Sequence, residues 1–77
     1  MKTVLQAMEE LIPEDAGQWV PCSVRQPDEP GVYTVIRRRK SGKYDLDSRL
    51  YNGGYWVTAG NSPTNAVEAW WEKVSAC

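Results

Sequence analysis

The chain has 77 residues, the length of one small domain, and a formal net charge of −1 at pH 7. This near-neutral balance argues against a dedicated nucleic-acid coat or a membrane-surface protein, because both usually carry an excess of lysine and arginine. The chain has no histidine, which removes the commonest general base and the usual zinc ligand set. We therefore predict a protein that is not an enzyme and that holds no cofactor or metal.

The cysteines indicate a reducing compartment. Cys22 and Cys77 are the two present, too few for a disulfide framework. No stretch approaches 18 consecutive apolar residues, so we expect a soluble, cytoplasmic protein with no membrane association. A cation near a thiol lowers its pKa, so Cys22 beside Arg25 is either an activated thiol or, as we favour, an ordinary loop or core cysteine.

The first residues predict a short amphipathic helix over residues 3–12. The apolar residues at helical spacing are Val4, Leu5, Met8, Leu11 and Ile12, with Thr3 as a plausible N-cap and Pro13 as a stop signal. A helix of about ten residues does not persist alone in water. We expect its apolar stripe to pack on a sheet of the same chain, with a partner protein as the alternative.

Two strands joined by a hairpin follow a tryptophan segment and a Pro-Gly corner. Residues 32–39 are rich in β-branched side chains, and residues 44–51 alternate between apolar and charged. A turn centred on Gly42 places Arg37 opposite Asp47 and Arg39 opposite Asp45. The same register sends Leu46 and Leu50 into the core near Thr34 and Ile36.

The second half of the chain predicts two further strands. Asn52-Gly53-Gly54 is a strong turn signal and leads to a short strand over residues 55–58. Residues 67–74 are ambiguous from composition, because Val67, Trp70, Trp71 and Val74 also match a helical stripe.

Several short motifs resemble one family. They are Trp19-Val20-Pro21 with Arg25-Gln26-Pro27, then Gly31-Val32-Tyr33, Gly54-Tyr55-Trp56 and finally Trp70-Trp71. Over roughly residues 19–73 this pattern resembles a small phage and prophage family, domain of unknown function 551. The histidine and late prolines typical of that family's ending are absent here. The resemblance implies a phage origin and a closing strand over residues 67–74, and it implies no chemistry.

Together these features predict an α+β fold: one domain over residues 1–77, with a short N-terminal helix packed on a four-stranded antiparallel meander. Residues 1–18 form the helix and a linker, and residues 19–77 the tryptophan loop and the sheet. The last strand would place Trp70 and Trp71 on opposite faces, so we expect at least one exposed ring.

Two sets of residues are candidates for binding a partner. The first is a basic hairpin tip, suited to an acidic protein surface or to nucleic acid, or else a solvated tip paired with aspartates. The second is an exposed ring, since aromatic side chains dominate binding hot spots, or else the rings pack under the N-terminal segment or the loop of residues 60–65. The candidates are Arg37, Arg38, Arg39, Lys40, Lys43 and Tyr44 at the tip, and Trp56, Trp70 and Trp71 among the rings.

The function predicted is that of a non-enzymatic phage or prophage accessory protein. It would bind, and inhibit or modulate, a host macromolecule such as a defence or replication component, and we expect that macromolecule to be a protein. A nucleic-acid-binding module that uses the hairpin tip is the alternative. Whether the protein is a monomer or a homodimer is left open.

Overall fold

The computed structural model describes residues 3–58, 60 and 62–73. These residues form one helix and six strands: α1 (Val4–Glu10), β1 (Gly17–Pro21), β2 (Gly31–Arg38), β3 (Tyr44–Tyr51), β4 (Trp56–Val57), β5 (Pro63–Thr64) and β6 (Val67–Lys73). The strands join in one antiparallel sheet in the order β1-β6-β2-β3-β4-β5. The α+β class is thus as predicted. The four-stranded meander is wrong, because β6 returns to lie between β2 and an edge strand that we expected to be a loop.

Helix α1 begins as the sequence predicts and ends two residues early. The Thr3 hydroxyl accepts from the Gln6 N–H, and the Gln6 side chain accepts from the Thr3 N–H, which makes a capping box. At the other end the indole N–H of Trp19 donates to the Leu11 carbonyl at 2.7 Å, satisfying a group that the end of a helix leaves free. Within the described residues, no helix is long and apolar enough to cross a membrane.

The helix packs on the sheet of its own chain, as expected. Fully buried Ala7 meets Ile36 of β2 and Ala69 of β6, and half-buried Trp19 and Tyr44 surround this cluster. We call this side of the sheet the helix face. The small side chains of Ala7 and Ala69 let the helix approach the strands closely.

The tryptophan segment forms strand β1 because its side chains alternate between two covered faces. Trp19 lies opposite Trp71, and Val20 lies opposite Trp70. Pro21 is tolerated because β1 is an edge strand, where one backbone N–H can be missing without loss to the ladder.

The hairpin of β2 and β3 is present, but its register is two residues away from the predicted one. Arg37 lies opposite Asp45, not Asp47. The turn centres on Ser41, because Gly42 takes the left-handed position (φ 86°) at the end of the three-residue loop 40–42. A shift of two keeps every side chain on its predicted face, so the error changes the partners and not the faces.

Residues 67–73 form a strand, and Trp70 and Trp71 lie on opposite faces of it, as the alternation predicted. Val74, the last residue of the predicted strand, lies outside the described residues. The Asn52 turn is also confirmed: its side chain accepts from the N–H groups of Gly54 and Tyr55, and Gly53 has φ 101°.

Candidate functional site

The hairpin tip holds its arginines in ion pairs. Arg39 Nε lies 2.6 Å from an oxygen of Asp45, Arg37 Nε lies 3.5 Å from oxygens of both Asp45 and Asp47, and Arg38 lies 3.2 Å from Glu68. The diagonal contacts restore the charge pairing that the predicted register gave. The positive charge of each of these arginines is therefore partly neutralised by a carboxylate of the same chain.

Asp45 is the centre of this network. Burial alone would raise the pKa of its carboxyl, but hydrogen bonds from Arg39 and Arg37 outweigh burial, so the pKa lies below its ordinary value of 3.8. The carboxylate is therefore charged at neutral pH.

The two lysines of the tip behave differently from the arginines. Lys40 and Lys43 are exposed, and within residues 3–58, 60 and 62–73 no carboxylate lies within ion-pair distance of either. The tip thus offers two unpaired cations in place of the five that its sequence suggests.

The predicted exposed rings are buried. Trp56, Trp70 and Trp71 expose 4%, 3% and 6% of their surface, so the expectation that at least one is available to a partner is wrong. The reason is that both faces of the sheet are covered where these rings lie. Helix α1 packs on one face, and the segment of residues 22–30 crosses the other.

The crossing segment is anchored by the rings beneath it. The indole N–H of Trp70 donates to the Arg25 carbonyl and that of Trp56 to the Gln26 side chain, each at 3.0 Å. The Tyr33 hydroxyl donates to the Glu29 carbonyl at 2.7 Å. Sequence reasoning missed this cover because a proline-rich segment without periodicity gives no sign of where it packs.

Tyr44, the aromatic candidate at the base of the tip, is half-buried against the helix cluster. Its ring is therefore occupied by packing and is not free to stack on a base. Of the predicted site residues, the structure brings the basic side chains together at one end of the sheet and leaves Trp56, Trp70 and Trp71 in the interior.

Cys22 is not an activated thiol. Burial, opposed by a hydrogen bond with Trp56 and assisted by the charge of Glu68, raises its pKa to about 11. The thiol stays protonated at neutral pH, so the ordinary cysteine is the interpretation that the structure supports.

The helix face is covered over only part of its area. Helix α1 covers Ile36 and Ala69, but beyond it Val32 is 72% exposed and Leu46 and Leu50 are each 41% exposed. Val32 lies directly opposite Leu50, and all three side chains point to this face because they alternate with the charged residues. We call Val32, Leu46 and Leu50 the open sheet surface.

The exposure of Leu46 and Leu50 is the opposite of what the sequence predicted. Leu46 and Leu50 were expected in the core and the charged residues between them in water. Instead the Arg49 side chain, on the opposite face, is only 13% exposed and pairs with Asp47 at 2.8 Å. The alternation was right, but a seven-residue helix is too short to cover the whole face.

A groove adjoins the open sheet surface where β2 and β6 separate. The two strands pair at Val35, Ile36 and Arg37, and beyond Val35 they enclose a groove of about 580 Å³ that includes Val32 in its wall. Carboxylates lie along it: Asp28 and Glu29, with Glu72 bound to Arg25 at 2.6 Å. Lys73 lines the groove as well, so the apolar surface has a polar border that carries both signs of charge.

Among the described residues, no group of three or more histidine, cysteine, aspartate or glutamate side chains is placed to hold a metal. Comparison of the chain with family models, with curated proteins and with solved structures finds no match. The resemblance to domain of unknown function 551 therefore rests on its motifs alone and stays a prediction.

Proposed function

We propose that this protein is a non-enzymatic accessory protein that binds another protein through the open sheet surface. The observation that supports the proposal is the cross-strand pair of Val32 and Leu50, apolar and exposed beside a face that the helix otherwise covers. Contiguous exposed apolar side chains with a polar border are typical of interaction sites.

A protein is a better candidate partner than a nucleic acid because of the charges. The arginines at the tip are paired with Asp45, Asp47 and Glu68, and the groove beside the open sheet surface has Asp28, Glu29 and Glu72 in its wall as well as Lys73. A phosphate backbone would meet carboxylates at both places. On the family resemblance we propose that the partner belongs to the bacterial host and that the protein acts in the cytoplasm.

The test uses two valines of equal exposure. Val32 is 72% exposed in the open sheet surface, and Val24 is 71% exposed in the crossing segment. We expect Val32→Lys to abolish capture of a stoichiometric host protein by the tagged chain in nuclease-treated lysate, and Val24→Lys to leave capture unchanged. Equal capture by both variants would refute a role for this surface.

The nucleic-acid alternative keeps one observation in its favour, the unpaired Lys40 and Lys43. It requires that Lys40→Glu with Lys43→Glu abolish binding and that affinity fall steeply with salt, since each neutralised phosphate releases counterions. Capture that survives nuclease and both lysine substitutions would exclude it.

A further inference from the structure

The turn between β3 and β4 holds the side-chain amide of Asn52 in one orientation. Its Oδ1 accepts from the Gly54 N–H at 3.0 Å and from the Tyr55 N–H at 2.9 Å. Because both partners are donors, the atom that faces them is the amide oxygen and not the amide nitrogen. The side-chain carbonyl is therefore fixed and turned toward the residues that follow it.

The Gly53 nitrogen is placed to react with that carbonyl. It belongs to the residue directly after Asn52, so its attack on Asn52 Cγ closes a five-membered ring and needs no second molecule. Within the part of the chain that the structure describes, the Gly53 N–H makes no hydrogen bond. Glycine also has no Cβ that could obstruct the approach, and Asn52 and Gly53 are both exposed to water.

The two backbone donors lie where negative charge develops during this attack. As the Gly53 nitrogen adds to Cγ, the Asn52 Oδ1 changes from a neutral carbonyl oxygen to an oxyanion. Hydrogen bonds to a charged acceptor are stronger than those to a neutral one, and donors already in position need no reorganisation. The bonds that stabilise the turn thus also favour the reaction.

We propose that Asn52 is a site of spontaneous covalent modification, which converts it through a cyclic imide to aspartate or isoaspartate. The Gly53 nitrogen forms a bond to Asn52 Cγ, the Cγ–Nδ2 bond breaks, and the Gly53 amide proton leaves with Nδ2 as ammonia. Water then opens the imide. Opening at Cγ gives aspartate, and opening at the main-chain carbonyl gives isoaspartate, in which the backbone runs through the side chain.

Asn65 provides a comparison within the same chain. It is exposed as well, but the nitrogen that would attack its side chain belongs to Ala66, whose N–H donates to the Thr64 hydroxyl at 3.2 Å. Among the described residues no backbone N–H binds the Asn65 side-chain oxygen. We therefore expect Asn52 to be modified over a period in which Asn65 stays intact.

Isoaspartate at this position would loosen strand β4. Among the described residues β4 pairs with β3 at two positions, and the turn closes through the Asn52 N–H, which donates to the Tyr55 carbonyl at 3.1 Å. Isoaspartate adds a methylene to the backbone inside this short turn, so the ladder beyond it loses its register. β4 carries Trp56, whose indole N–H holds Gln26 of the crossing segment, so the change extends to that segment.

The test compares the whole folded chain with the same chain in guanidinium chloride, both kept at pH 8 and analysed by mass spectrometry of tryptic peptides. Cleavage after Arg49 and Lys73 leaves Asn52 and Asn65 in one peptide, and fragmentation shows which amide has become a carboxyl group. One hydrogen bond to a developing charge changes a rate by roughly threefold to tenfold. We therefore expect Asn52 to react at least about threefold faster in the folded chain than in denaturant.

Two substitutions of Tyr55 separate its N–H from its side chain. Tyr55→Pro removes the donor, and proline is tolerated at the start of a strand. Tyr55→Ala keeps the donor and removes the ring, which is 50% exposed. Modification of Asn52 should slow at least about threefold in Tyr55→Pro and be unchanged in Tyr55→Ala. If Tyr55→Pro does not fold, the comparison of the folded and denatured parent chain still decides.

Three results would overturn the inference. The first is an Asn52 that reacts no faster in the folded chain than in denaturant, and the second is equal reaction of Asn52 and Asn65 in the folded chain. The third is equal reaction of Asn52 in folded Tyr55→Pro and folded Tyr55→Ala. None of these measurements involves a partner, so they stand or fall separately from the proposed function.

The structural consequence has its own control. The isoaspartate form, separated by ion exchange, should melt below the parent chain. Asn52→Asp carries the same added charge on an unaltered backbone and should melt close to the parent chain. Equal melting temperatures of the isoaspartate form and Asn52→Asp would refute the loosening of β4.

Discussion

Gly17 is the position where one added methyl group should cost the most. It lies in the edge strand β1, opposite Lys73. A Cβ placed there would lie 2.7 Å from Trp71 Nε1 and 2.9 Å from Trp71 Cε2, and it would also collide with the Glu72 carbonyl oxygen. The last contact is with the backbone of a central strand, which cannot move without breaking the β1–β6 ladder.

The expected cost of Gly17→Ala follows from this crowding. Adding a methylene to a filled site typically costs about 1–3 kcal/mol. For a domain of this size each kcal/mol lowers the melting temperature by roughly 4–8 °C. We therefore expect thermal unfolding, followed by far-UV circular dichroism, to shift down by about 5–20 °C.

The matched control is Gly54→Ala, where the nearest atom to an added Cβ is the Asn52 Oδ1 at 3.8 Å. We expect that variant to melt within a few degrees of the parent chain. If Gly17→Ala melts together with Gly54→Ala, then the Trp71 indole does not press on β1, and the packing described for that edge is refuted.

Three further outcomes test the interior. Trp70→Phe and Trp71→Phe each replace a buried ring by a smaller one, but Trp70→Phe also leaves the Arg25 carbonyl without its donor. Because the Trp71 N–H has no acceptor among the described residues, we expect Trp70→Phe to cost about 1 kcal/mol more than Trp71→Phe; equal melting temperatures would refute the anchor. The pKa of Asp45 is depressed in the folded protein, so its contribution to stability is present above the ordinary pKa of 3.8 and is lost as the pH falls through the folded value. The free energy of unfolding of Asp45→Asn should therefore fall less than that of the parent chain between pH 7 and pH 3. Equal decreases in the two proteins would contradict this. With a pKa of about 11, Cys22 carries roughly a hundredfold less thiolate at pH 8 than a thiol at the ordinary 9.0. With the other cysteine changed to serine, a thiol-reactive disulfide should label Cys22 far more slowly in the folded chain than in denaturant. Equal labelling rates would refute the burial of the Cys22 thiol.

The sequence predicted those features that depend on neighbouring residues. The Thr3 cap, the Ser41-Gly42 hairpin and the Asn52 turn are all local, and each is present. The strand over residues 67–73 was correct as well, but it followed from the family resemblance, since the residue pattern alone also matched a helix.

The sequence did not predict what covers each face. Whether Trp70 is exposed depends on where residues 22–30 pack, and Leu46 and Leu50 are partly exposed because α1 covers only part of the helix face. The predicted basic residues of the hairpin tip stay a prediction, and the apolar residues of the open sheet surface were not among the predicted site residues. The open sheet surface had one available signal, the helix length, since about ten residues cannot cover a sheet of this width.

The position of β6 has a consequence for how the chain is made. β6 is the last of the described strands in sequence, yet β1 has β6 as its neighbour in the sheet and β2 meets it on the other side. During synthesis β1 can pair with the strand that carries Trp70 only after about fifty further residues have been added to the chain. Pairings this distant in sequence slow folding. The sheet therefore cannot be assembled progressively from the N-terminus. Until residues 67–73 have left the ribosome, the nascent chain exposes its tryptophan segment and the edge of β2 to whatever else is in the cell.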